Sequence, residues 1–282
     1  MPHHPTLPDG PARTLGALAL ACLAAPAAAA DYYCGTALCT SLGSALATVQ
    51  LSNTTAPVDV PAPGGLVTGD NSSGSVVYAP APLVQAESHI TDGVSSAEAN
   101  IVQSHLHYNV SVAAYEPVSG NVFVPIVLTG FYGLSASADR YLGDGGAAVL
   151  IKVNQSDFTP NSFMDDLSDA GCGSLDPSRS CQREGSFKLT GQLKVGLQMS
   201  VDMYAIASSQ EYGKGGFGSG AAWIDPVISI DPAFADAAKY VVLLSEGIGN
   251  AAAVPEPANA AMLLAGSLLL SGTARRRARR AS

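Results

Sequence analysis

The feature that most constrains this chain is a run of strict two-residue alternation from Ser186 to Ile206. Phe187, Leu189, Leu193, Val195, Leu197, Met199, Val201 and Met203 fall on one side, and Lys188, Thr190, Gln192, Lys194, Gln198, Ser200 and Asp202 on the other. Successive side chains of an extended strand point to opposite faces, so this pattern builds a half-buried strand. A helix would repeat its apolar positions every three or four residues. The run far exceeds the common strand length of about 5–6 residues. A bulge or break is therefore expected near Gly191 or Gly196, since glycine weakens a strand interior.

The same period recurs elsewhere. From Ser104 to Glu116, Leu106, Tyr108, Val110, Val112 and Ala114 face inward, while His105, His107, Asn109 and Ser111 face outward. Val122, Val124, Ile126 and Leu128 continue the pattern after Pro117 to Gly120, a stretch expected to form a hairpin turn. Shorter strands are expected over 146–154, 220–224, 227–230 and 240–244. Many strands joined by glycine-rich turns, without amphipathic helices, give an all-β fold: an antiparallel, jelly-roll-like β-sandwich over 100–250. The preceding segment, 31–99, is rich in Pro, Gly and Ser; it is either an irregular lead-in or part of the sandwich.

Charge narrows the partners. Charged residues are 13% of the chain, and between Asp31 and Ala253 there are 21 acidic against 8 basic ones. An acidic body lacks the Lys and Arg clusters that phosphate backbones require, which excludes nucleic acid. The basic residues gather instead at the C-terminus, as Arg275, Arg276, Arg277, Arg279 and Arg280.

Both ends have the form of addresses. Over 1–30, Arg13, an apolar run from Thr14 to Leu23 and the Ala28-Ala29-Ala30 sequence form a secretory signal with cleavage expected before Asp31. Over 251–282, Val254-Pro255-Glu256-Pro257 precedes an apolar stretch from Ala258 to Ala274 and then the arginines. Such a stretch, short for a bilayer span, is expected as a transmembrane helix whose arginines stay cytoplasmic and whose body stays outside. The prolines interrupt helix upstream of it.

That order of motif, span and basic end resembles the PEP-CTERM sorting domain of Gram-negative bacteria. The resemblance implies recognition of Pro255, Glu256 and Pro257 by an exosortase, removal of the span and arginines, and transfer from the inner membrane to the cell surface or outside. The body, from about 100 to 250, resembles the β-rich domain of PEP-CTERM proteins without an assigned activity. The residues that carry this second resemblance are the Tyr-bearing strand before Pro117, the long strand from Ser186 to Ile206, Ala222-Trp223-Ile224-Asp225-Pro226 with Asp231-Pro232, and Gly247-Ile248-Gly249-Asn250.

After the signal, Cys34, Cys39, Cys172 and Cys181 remain, an even number suited to disulfides in an exported protein. Local pairing, Cys34–Cys39 and Cys172–Cys181, closes the shortest loops; a zinc site is the alternative. His105 and His107 share one strand face and form the sharpest metal-binding candidate, with His89 as a conceivable third ligand. Asp165, Asp166 and Asp169, with Asp176, form an acidic loop of the kind calcium favours, without the spacing of a calcium-binding loop. Asp225-Pro226 and Asp231-Pro232 are expected to cap strand ends. Gly216 to Gly220 is expected as a turn, and Trp223 as a core residue rather than a sugar platform. No catalytic constellation and no cofactor emerge. The expectation is a non-enzymatic surface protein, structural or adhesive in the extracellular matrix. The alternatives are a polysaccharide- or calcium-binding module and, further off, a secreted glycan hydrolase.

Overall fold

A computed structural model describes residues 31–52, 55–91, 99–139, 142–155, 158, 162–167, 178–213 and 215–250. The segments expected to be the signal peptide and the sorting motif, with the apolar tail and the arginine cluster, lie outside these residues. Among the described residues, no helix is long and apolar enough to cross a membrane.

The described chain is built of strands: β1 (Tyr33–Cys34), β2 (Ala37–Leu38), β3 (Leu46–Gln50), β4 (Val58–Asp59), β5 (Gly64–Gly69), β6 (Ser72–Val77), β7 (Leu83–Thr91), β8 (Ala99–Ala114), β9 (Phe123–Asp139), β10 (Gly143–Asn154), β11 (Ser162–Leu167), β12 (Ser178–Lys194), β13 (Gln198–Glu211), β14 (Phe217–Ile230) and β15 (Tyr240–Leu244). One 3-10 turn, Ala237–Lys239, leads into β15. The strands pair antiparallel in two sheets. The larger runs β11-β10-β13-β8-β1-β2, with β3 and β15 also on β8 and β4 on β3; the smaller runs β12-β9-β14-β7-β6-β5. Their inner faces pack on each other, with β10 and β13 across from β14, β9 and β7. The segment before residue 100 is therefore part of the sandwich, and β7 is an interior strand of the smaller sheet.

The long alternating run is two strands in two different sheets. β12 pairs with β9 in the smaller sheet, and β13 with β8 and β10 in the larger. The handover falls at Gly196, at φ +81°, a left-handed conformation that glycine adopts without a Cβ penalty. Val195 N donates to Val122 O at 2.9 Å, on the approach to β9, and Gly196 N donates to Val112 O on β8, also at 2.9 Å. Neighbouring residues thus bond to opposite sheets. Leu197, in phase with the apolar face, is 45% exposed because it lies in the crossing.

Pro117 to Gly120 likewise is not a hairpin. It carries the chain from β8 in the larger sheet to β9 in the smaller, and these strands do not pair. At that end β8 is covered on both sides: every residue from Val110 to Ala114 is buried, including Ser111, which alternation had placed outward. Asp225-Pro226 is not a cap but lies inside β14. Pairing of β14 with β7 stops at Ile224, while pairing with β9 continues to Ile230. Proline, which has no N–H to donate, is tolerated where one side of a strand is free. Asp231 does end a strand, its Oδ1 accepting from Ala233 N at 2.9 Å.

The core changes character along the strands. At one end Leu106, Tyr108, Ile151, Met203, Leu128, Leu189 and Ile228 fill the space between sheets, all nearly or fully inaccessible. Burying each such side chain stabilises the fold by roughly 1.5–3 kcal/mol. Toward the other end the inward residues shrink to Ala147, Ala207, Ala136, Ala138 and Ala222, then to glycine. A Cβ on Gly220 would sit 1.9 Å from Gly146 O, and one on Gly218 1.9 Å from Asp144 O. Here β14 and β10 touch backbone to backbone. Hydroxyls join the sheets in place of hydrocarbon: Ser88 Oγ and Ser209 Oγ are buried and 2.6 Å apart, and Ser104 Oγ donates to Gln85 O.

Candidate functional site

On the outer face of the larger sheet, the antiparallel register sets Asp202 of β13 opposite His107 of β8 and Tyr204 opposite His105. Asp202 Oδ1 accepts from His105 Nε2 at 3.0 Å and from His107 Nδ1 at 2.9 Å. An ionised carboxylate only accepts, so each imidazole holds a proton on the nitrogen that faces it. The His105 ring stacks on Tyr204, with centroids 4.3 Å apart and planes 3° from parallel, and Lys152 Nζ lies 5.8 Å from the Tyr204 centroid. Burial, and then the Asp202 charge, pushes the Tyr204 hydroxyl above its ordinary pKa.

The two histidines expected as a chelating pair thus share a carboxylate that sequence had placed only on a polar face. His89 is an exposed residue of β7 in the opposite sheet, paired with Ser219, and does not join them. Among the described residues, no group of three or more His, Cys, Asp or Glu side chains is placed to hold a metal ion. Of the acidic cluster, Asp165 and Asp166 occupy strand positions in β11, opposite Val149 and Ala148 of β10, rather than a loop. Asp169 and Asp176 lie outside the described residues.

The outer face of the smaller sheet is organised in rows, each crossing β12, β9 and β14 in register. Lys188, Thr129 and Val227 make one row, and Ser186, Phe131 and Asp225 the next. Glu184, Gly133 and Trp223 follow, with Gln85 of β7 completing that row. Rows two residues apart are separated by about 6.7 Å along the strands. Trp223 is not a core residue. Its neighbours Ala222 and Ile224 point inward and are buried, so strand alternation turns the indole outward, half-buried. The ring spreads over Gly133, where an added Cβ would lie 2.2 Å from Nε1. One row away Phe131 is 56% exposed.

Beside Phe131 a depression of about 560 Å³ is lined by Thr129, Ser186, Lys188, Asp225 and Val227, among others. Desolvation raises the Asp225 carboxyl above its ordinary pKa. Phe131 carried a signal legible in the sequence: it is out of phase with Val124, Ile126 and Leu128, and so lies on the opposite face. Gly133, two positions on, is the small residue that makes room for the indole.

A second depression, about 510 Å³, opens at the crossing end among Tyr115, Glu116, Pro117, Val118, Lys239 and Tyr240. Tyr32 and Tyr115 meet there with centroids 5.7 Å apart, and Lys239 is held by Asp236 at 2.8 Å. The Cys34–Cys39 disulfide closes the adjacent β1–β2 turn, and Val118 N bonds to Gly35 O within that turn. Cys181 is also disulfide-bonded, while Cys172, its expected partner, lies outside the described residues.

The fold and its surfaces define the chain as an all-β antiparallel sandwich with a disulfide. No family model matches the sequence, and no curated protein matches it. Among solved structures, TmCBM61 in complex with β-1,4-galactotriose is similar at 12% identity, over 64% of this chain and 88% of that one, with a TM-score of 0.20.

Proposed function

We propose that this protein is exported, held briefly in the inner membrane by its C-terminal span, and released to the cell surface or surroundings by exosortase processing at Pro255-Glu256-Pro257. The body then acts in the extracellular matrix as a structural or adhesive domain and performs no catalysis. The observation that carries the reading is the tail itself: a proline-bounded acidic motif, an apolar span and five arginines, in that order. A disulfide in the body supports it, because such bonds persist in oxidising compartments.

The end of the sandwich supports it too. Asn250 clamps Ile228 of β14, accepting from its N at 3.1 Å and donating to its O at 2.6 Å. Gly249 N bonds to Tyr78 O at 2.8 Å. The last residue these bonds hold, Asn250, precedes Pro255 by five positions, so the sandwich and the motif share no residue.

Intact mass spectrometry of the protein recovered from its native host tests this directly. The expected mature chain begins at Asp31 and ends near Pro257, and replacing Pro255-Glu256-Pro257 by alanines leaves the arginines attached. A wild-type chain that still carries Arg280 would overturn the processing claim.

A further inference from the structure

We propose that the outer face of the smaller sheet, centred on Trp223 and Phe131, is a binding platform for a neutral polysaccharide. The inference deepens the adhesive reading and rests on it, since it supplies the contact an extracellular domain would make with matrix glycan.

The argument starts from what this face offers. Two aromatic rings stand on adjacent rows, at diagonal positions of paired strands roughly 7–8 Å apart. Trp223 lies over a glycine, so no neighbouring side chain props it upright, and Phe131 is more than half exposed. Polar groups of both kinds surround the rings: Gln85 and Glu184 beside Trp223, Asp225, Ser186 and Lys188 beside Phe131. Ser186 and Lys188 are exposed, and neither these two nor the Asp225 carboxylate makes a side-chain hydrogen bond within the described residues. A ligand that fits must present an apolar face to stack and a rim of groups that both donate and accept. A pyranose ring has that constitution.

Other ligand classes fit less well. An extended peptide docks by adding to a strand edge and needs free backbone groups. Trp223 lies where β14 is paired on both sides, so no backbone hydrogen bonds are on offer there. Anionic polymers meet Glu184 and Asp225 on these rows, and Glu87 on the row beyond Trp223, against the single Lys188, so the local charge disfavours uronate or sulfate. An open, shallow surface also suits a polymer that crosses several rows better than a compact small molecule, which is usually enclosed on most sides.

Trp223 is the only tryptophan, so its fluorescence reports this face alone. The experiment uses the full-length chain in mild detergent, titrated with hydroxyethylcellulose, galactomannan and soluble arabinogalactan, with polygalacturonate as the anionic counterpart. Emission and retardation in polysaccharide-containing native gels are read together. The expected result is binding to at least one neutral polymer with a shift or quenching of emission. Phe131→Ala is expected to weaken it about tenfold, Trp223→Ala to abolish it, and Tyr115→Ala, at the other depression, to leave it unchanged.

Circular dichroism confirms that each variant folds, and Phe131→Ala, on an exposed side chain, keeps the test open if Trp223→Ala does not. Absence of binding to all three neutral polymers would overturn the platform. So would binding without an emission change, preference for polygalacturonate, or loss through Tyr115→Ala alone. The mass measurement of the tail is independent of all these outcomes, so a failure of sorting and a failure of binding are told apart.

Discussion

The two ends of the sandwich solve the same problem in opposite ways. Where Leu106, Ile151, Met203, Leu128 and Leu189 meet, large side chains hold the sheets apart and exclude water by bulk. Where Gly218 and Gly220 meet Asp144 and Gly146, the sheets touch through their backbones, and a buried Ser88–Ser209 bond crosses between them. Face-packed sheets normally stand about 10 Å apart. The glycine end lies well inside that spacing, so the sandwich tapers. The aliphatic end tolerates loss of volume at a graded cost, whereas the glycine end has no room to gain any.

The most severe way to break this contrast is Gly220→Leu. Its first side-chain atom would fall 1.9 Å from a carbonyl oxygen in the opposite sheet, far inside van der Waals contact, so the sheets must separate. The expected outcome is loss of cooperative unfolding and of soluble yield, checked by thermal circular dichroism. Met203→Ala, at the aliphatic end, should instead leave a folded protein destabilised by about 2–5 kcal/mol in urea titrations. If both variants behaved alike, the taper would not govern stability.

Removing Cys34–Cys39, by serine at both positions, should cost roughly 2 kcal/mol, because the bridge closes a short loop beside the Gly196 crossing. Ser88→Ala should cost about 1–3 kcal/mol by leaving the buried Ser209 hydroxyl unpaired. Adding Ser209→Ala should restore part of that loss, a coupling that a double-mutant cycle measures.

The smallest effect is expected away from both ends, at Asp225. Its carboxyl pKa is raised by desolvation in the folded protein, so the folded state holds its proton more tightly than the unfolded one. Stability from this group is therefore present below the ordinary carboxylate range and lost as pH rises through the raised pKa. Asp225→Asn should give a slight increase in Tm at neutral pH that disappears in acid, read by thermal melts at both.

Much of the fold was legible before any coordinates. The alternation at 104–116 and 186–206 named inward residues that are indeed buried, among them Leu106, Tyr108, Leu189 and Met203, and β15 falls at 240–244 as expected. The Cys34–Cys39 bridge followed from spacing. The break expected near Gly196 does fall there, between β12 and β13, whereas Pro117 to Gly120 is not the hairpin expected; in both places the chain alternates in phase on either side. Neither signal says whether the next strand pairs with the last or crosses to the other sheet.

The candidate sites follow the same division. His105 and His107 could be paired from their spacing, but Asp202 joined them only through the register of β13 on β8. Trp223 looked like core because its strand is apolar. Its outward position depends on which parity of β14 the sheet buries, and its flat seat depends on Gly133 of β9.

By itself, then, the sequence determined that the described body is all strand and which residues of several strands turn inward. It also carries the two terminal segments read as export and sorting signals, a reading on which the proposed function rests. These follow from local rules: a period of two belongs to each residue's own backbone geometry, and an address is a contiguous string. Tertiary structure alone decided which sheet each strand joined, that the sandwich tapers, and that Trp223 and Phe131 share one open face. Those outcomes are set by pairing between residues far apart in the chain, where strands with the same local pattern compete for the same partners.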